Sequence, residues 1–211
     1  MRKAFCVIGD LVASRKIAGR REFQARLSVA LRELSLNRRD IASPYTITLG
    51  DEFQAVYEDP RGIFRDLLAV QSLIHPHRVR FAIGVGSLTT ALNRESAIGM
   101  DGPAFSSARE SLTGLKKSEY VYRVAGLPAR TNAWANLSLD LVSHIVTPWR
   151  KNRFEIAVAQ MDGESPLEVA SRMNLTASAV YKNIRAGALP TVTGMLKLLG
   201  TVLGDPDGQR T

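Results

Sequence analysis

With a single cysteine, Cys6, in 211 residues, the chain has no partner for an intrachain disulfide and no thiol cluster for zinc. A lone thiol in an apolar stretch reads as a small core residue on a strand, and the compartment as a reducing cytoplasm. Histidine is scarce as well. His75 and His77 flank Pro76 in a loop pattern and His144 falls on a helix surface, so neither a histidine metal centre nor a Ser-His-Asp set emerges. No apolar run reaches the ~18 residues that would cross a bilayer, so no membrane span is expected. The apolar residues after Arg2-Lys3 stop at Gly9-Asp10, too soon for a signal-peptide core. There is no internal repeat, and only the polar end GDPDGQRT reads as frayed.

What the chain does have is positive charge, a formal +8 with a pI near 10.0. That excess points to an anionic partner such as a nucleotide or nucleic acid. It does not say which half meets the anion, because both halves are net basic.

Taken in order, Ala4–Ile8 is a continuous apolar run, the pattern of a strand buried on both faces, and it ends at Gly9-Asp10. Residues 20–34 form an amphipathic helix with Phe23, Leu27, Ala30, Leu31 and Leu34 on one side and arginines on the other. Residues 45–57, YTITLGDEFQAVY, read as a tight hairpin bent at Gly50-Asp51-Glu52. Asp59-Pro60 then starts a helix by a cap and an N-terminal proline. A strand over 78–85 follows, then a helix opened by Pro103, with Ala104, Phe105, Ala108 and Leu112 inward and Arg109 beside that face. Residues 119–124 read as one more strand. The order β-α-β-β-α-β predicts an α+β domain over 1–127 with a ferredoxin-like antiparallel sheet and helices on one face.

Beyond Pro128 the strand signal ends, and residues 132–211 read as a small all-α domain with a break near Pro148. Ser165-Pro166-Leu167-Glu168 is a capping box, and Asn174 and Thr176 supply a turn and a second cap. The pair over about 165–186 has the pattern of a helix-turn-helix, with Thr176, Ser178, Tyr181, Lys182 and Arg185 placed to meet DNA.

Two carboxylates at a hairpin tip repel each other, so Asp51 and Glu52 suit a cation better than they suit stability. Asp10 ends the neighbouring strand and could converge with Asp51 on Mg²⁺ or Mn²⁺, as two-metal phosphoryl-transfer sites require. The loop GDLVASR offers Ser14 and Arg15, and the hairpin offers Gly50, to a nucleotide or other phosphate ligand.

The set GDLVASR, ITLGDEFQAVY, RFAIGVG and GMDGPAFSSAR resembles the SatD family, a bacterial group of poorly defined function, over essentially the whole chain. Over residues 4–125 it resembles, more distantly, class III nucleotide cyclases and GGDEF-type diguanylate cyclases. That second resemblance implies metal ligation by Asp10 and Asp51, with Glu52 next in the acidic string. It also implies a transition-state arginine at Arg109 and a site shared across a homodimer. Three positions depart from the pattern. Phe105 stands where class III cyclases have an Asn, Ile47 where they have a purine-reading Lys, and Leu49 where GGDEF has its first Gly. The reading is therefore a cytoplasmic DNA-binding regulator that senses a metal-nucleotide ligand. The alternative is a two-metal cyclase-type enzyme acting on a nucleoside triphosphate.

Overall fold

The computed structural model describes residues 3–36 and 38–206. Five strands form one open sheet in the order β2-β3-β1-β4-β5. These are β1 (Lys3–Leu11), β2 (Ile41–Leu49), β3 (Glu52–Tyr57), β4 (Val79–Ser87) and β5 (Tyr122–Ala125). Neighbours are antiparallel except β4 and β5. The central strand β1 is buried over all but its first residue, as its unbroken apolar run requires.

Alternation along β1 divides the core in two. Phe5, Val7 and Leu11 join the large cluster beneath α1 (Arg20–Leu36) and α2 (Ile63–Ile74). Ala4, Cys6 and Ile8 join a smaller cluster beneath α3 (Pro103–Leu115). The expectation of helices on one face therefore holds for α1 and α2 and fails for α3, which crosses the opposite face to connect β4 to the parallel strand β5. What lets α3 lie there is small residues. A methyl group on Gly84 would stand 1.9 Å from the Ala104 carbonyl oxygen, and one on Gly86 would stand 2.7 Å from the Ala104 nitrogen. Helix backbone touches sheet backbone.

The C-terminal helices are α4 (Ala129–Val146), α5 (Lys151–Met161), α6 (Pro166–Arg172), α7 (Ala177–Ala186) and α8 (Leu189–Gly204). The break between α4 and α5 spans Pro148, as its ring demands. Phe154, Leu196, Leu199 and Leu203 share the large cluster with Phe64 and Leu67 of α2, so the sheet and the C-terminal helices have one continuous core. A polar network reinforces that junction. Asp66 of α2 is fully buried, accepts from the Tyr57 hydroxyl (2.8 Å), and meets Arg38 (3.1 Å) and Arg65 (3.3 Å). Arg65 then grips Asp162, beyond α5, with Nη2 at 2.6 Å from Oδ2. Among the described residues no single helix is long and apolar enough to cross a membrane.

Candidate functional site

The site lies where β1 ends beside the β2–β3 turn. Gly9 faces Phe53 across the ladder, and a methyl group on Gly9 would stand 2.3 Å from the Phe53 ring. The glycine thus gives the ring its seat, and the next pair in register is Asp10 opposite Glu52. On its other side Asp10 pairs with Arg80 of β4. The row Arg80–Asp10–Glu52 runs across three adjacent strands on the face that carries α3, since paired residues of antiparallel strands project to the same side.

α3 closes over this row. Arg109 donates from Nη1 to Glu52 Oε1 at 2.5 Å. Lys116, seven residues on and so on the same helical side, places Nζ 2.8 Å from Asp10 Oδ1. Arg80 Nη1 is 3.6 Å from Asp10 Oδ2. The Asp10 and Glu52 side chains are nearly buried, whereas Arg109 and Lys116 are about half exposed, 49% and 47%. The carboxylates form the floor and half-exposed cations form the roof.

Asp51 sits at the turn itself. Its carbonyl accepts from the Leu11 amide (3.0 Å), and its Oδ2 accepts from the Ser14 hydroxyl at 2.5 Å. Gly50 has φ of 45°, which a glycine adopts without the strain a side chain would bring. α1 braces this tip, Gln24 donating to the Gly50 carbonyl. Ser14 is buried in a short 3-10 turn, and Arg15 beside it is exposed.

Every site residue expected near the hairpin therefore gathers at one end of the sheet. Asp10 lies in register with Glu52, while the Asp51 side chain turns to Ser14. Among the described residues no three His, Cys, Asp or Glu side chains are arranged to hold a metal ion. The donors are hard oxygens, right in kind for Mg²⁺ or Mn²⁺. The Asp10 and Glu52 carboxylates are already neutralised by protein cations, however, so a metal fits only where those cations are drawn off. Arg109, beside the apolar face of its helix, pairs with Glu52. Arg80 and Lys116 were not anticipated. Their signals were present: Arg80 is a charge inside the strand VRFAIGVG, and Lys116 repeats Arg109 at i+7.

Two of the departures from the cyclase pattern, Phe105 and Ile47, are structural fillings. Phe105 is buried under α3 against the sheet, and Ile47 faces Phe53 and packs on the large cluster. Cys6, beneath α3, is fully buried, and burial pushes its thiol pKa up.

At the far end, α6 opens with the capping box of Ser165 and Glu168. Asn174 takes the left-handed turn at φ 51°, and Thr176 caps α7 by accepting from the Ala179 amide. α7 buries only Val180. Thr176, Ser178, Tyr181, Lys182 and Arg185 are all exposed, and the last four share one side at i, i+3, i+4 and i+7.

The family model described as the SatD family matches residues 4–192, and the chain belongs to that family. No curated protein matches the sequence. Among solved structures, the chain is similar to that of a regulator of polyketide synthase expression from Bifidobacterium adolescentis. The identity is 12%, the TM-score 0.26, and the match covers 99% of this chain and 88% of that one. At that TM-score the likeness supports no conclusion about fold or role.

Proposed function

We propose that this SatD-family protein is a DNA-binding regulator, with residues 1–127 binding a metal-nucleotide or related phosphate ligand and residues 132–211 contacting DNA. The strand order 4-1-3-2 within β-α-β-β-α-β, antiparallel throughout, supports a ferredoxin-like, cyclase-type reading of the first part. The observation that carries the ligand half is the acidic pair Asp10–Glu52 under Arg80, Arg109 and Lys116. Half-exposed cations over buried carboxylates are an exchangeable set. Phosphate oxygens draw Arg109 and Lys116 off, and the freed carboxylates of Asp10 and Glu52, with Asp51 at the tip, then hold Mg²⁺ or Mn²⁺. Bound there, the metal supplies charge neutralisation for the phosphates. Ser14, Arg15 and the Gly50 turn border the same end and complete the phosphate contacts.

This exchange predicts that metal and nucleotide bind together far better than either binds alone. Calorimetry of the full chain with Mg²⁺, with ATP or GTP, and with both gives the test. Marked synergy, lost in Asp10→Asn, supports the reading, and independent weak binding of each component overturns it. The outward side of α7 carries the DNA half. Replacing Tyr181, Lys182 and Arg185 by Ala should abolish selective DNA binding in an anisotropy assay. Unchanged affinity in that variant removes the DNA half.

The enzyme reading draws on the same geometry, because Arg109 sits over the metal-type carboxylates, where it would meet charge developing on phosphate. Appearance of a cyclic or linked nucleotide in the Mg²⁺ or Mn²⁺ mixture, absent with Asp51→Asn, would establish catalysis. A homodimeric site belongs to that reading.

A further inference from the structure

On the side of the sheet away from α3, a second site lies between the first residues of β4 and β5 and the α4–α5 turn. A cavity of about 130 Å³ opens there. Its walls include Tyr122 of β5, Trp149 of the turn and Phe154 of α5. Trp149 and Phe154 meet edge to face at 5.3 Å, and Tyr122 stacks on Phe81 at 5.9 Å. Three aromatic walls fixed by their own neighbours, with Gln71, His75 and Thr147 between them, make a preformed slot of mixed character.

Of its polar groups Gln71 is engaged, donating to the His77 carbonyl and accepting from the Val79 amide, while two others are open. Tyr122 is 1% exposed, yet its hydroxyl has no hydrogen-bond partner among the described residues. A tyrosine in a core usually finds a partner for its hydroxyl. Arg78, at the rim, is exposed and its guanidinium has no ion pair among the described residues. Its carbonyl, by contrast, is engaged, accepting from the Val12 amide at 2.8 Å. The backbone is held and the charge is free. Aromatic walls with a few convergent polar groups are a common make-up of a small-molecule site.

We propose that this cavity binds a single-ring aromatic acid. The ring lies among Tyr122, Trp149 and Phe154, a polar substituent bonds the Tyr122 hydroxyl, and the carboxylate meets Arg78 at the rim. The volume admits one ring with room for its substituents. The site is separate from Asp10 and Glu52, which project from the opposite face of the sheet.

Of the two tryptophans, only Trp149 lines the cavity. Full-length Trp134→Phe protein, in which the exposed tryptophan of α4 is removed, therefore reports on the site alone. Titration with 4-hydroxybenzoate and benzoate should give saturable changes in Trp149 fluorescence. Tyr122→Phe keeps the ring and should weaken 4-hydroxybenzoate by about fivefold. Arg78→Gln should weaken both acids by about tenfold and leave neutral phenol unaffected. Asp10→Asn should change nothing, so failure here is distinguishable from failure of the phosphate site. No saturable response at millimolar acid, or binding indifferent to both Tyr122→Phe and Arg78→Gln, overturns the proposal.

Discussion

The two faces of the sheet solve the same burial problem with opposite materials. Toward α1, α2 and the C-terminal helices the strands present Phe53, Phe81, Tyr57 and Tyr122, large rings in edge-to-face and stacked contact. Toward α3 they present Ala4, Cys6, Ala82, Gly84 and Gly86. Large side chains hold helices at a distance and give a deep core. Small ones bring one helix down onto the sheet backbone, so that Arg109 and Lys116 reach Glu52 and Asp10. One face stores stability, and the other positions charge.

That contrast sets different tolerances. Gly84→Ala puts a carbon 1.9 Å from a backbone oxygen of α3, and nothing flexible can yield. It should cost about 3 kcal/mol by urea denaturation, whereas Ile83→Val on the opposite face should cost about 1 kcal/mol. Equal losses would mean the two faces do not differ as described.

Next in size is an effect of pH confined to the large face. Burial pushes the Asp66 carboxyl up to about 6, outweighing the pull of Arg38 and the Tyr57 hydroxyl. A folded-state value above the unfolded 3.8 means the native protein binds that proton more tightly. Its contribution is full below pH 4 and is lost as pH rises through 6. The loss is on the order of 2–3 kcal/mol. Thermal melts at pH 5 and 7.5 should show about half of this decline in the native chain and none of it in Asp66→Asn, the rest falling below pH 5. A decline of the same size in both assigns it elsewhere.

The smallest stability effect falls on the small-residue face, where ion pairs are half in water. Lys116→Gln should move stability by under ~1 kcal/mol. Its signature lies in ligand binding, where synergy between Mg²⁺ and nucleotide should fall by about tenfold. A large melting shift with unchanged binding would make Lys116 a strut for α3 instead.

Much of this was legible in the amino acids. The run Ala4–Ile8, the bend at Gly50 and the capping box at Ser165 each carry a local physical signature, and each forms the element its signature predicts. The side taken by α3 was not legible, because a helix's apolar stripe says that it packs and not upon which face. Gly84 and Gly86, two residues apart, were the available clue. The last strand begins at Tyr122 and not at 119, since a four-residue edge strand is set by its pairing with β4 and not by its own pattern. The gathering of Asp10, Glu52 and Asp51 at one end was foreseeable from a strand beside a hairpin. Their exact register with Arg80 and α3 depended on tertiary packing. The pattern for α6 and α7 was local throughout, and the two helices begin with the expected caps.

The lone thiol gives α3 a clock of its own. Cys6 lies directly under that helix with no path for a reagent, so alkylation has to wait until the helix lifts. The labelling rate, read by mass on the unaltered protein, therefore counts departures of α3 one molecule at a time. Whatever ligand fastens the helix to the sheet will slow that count, with no probe added.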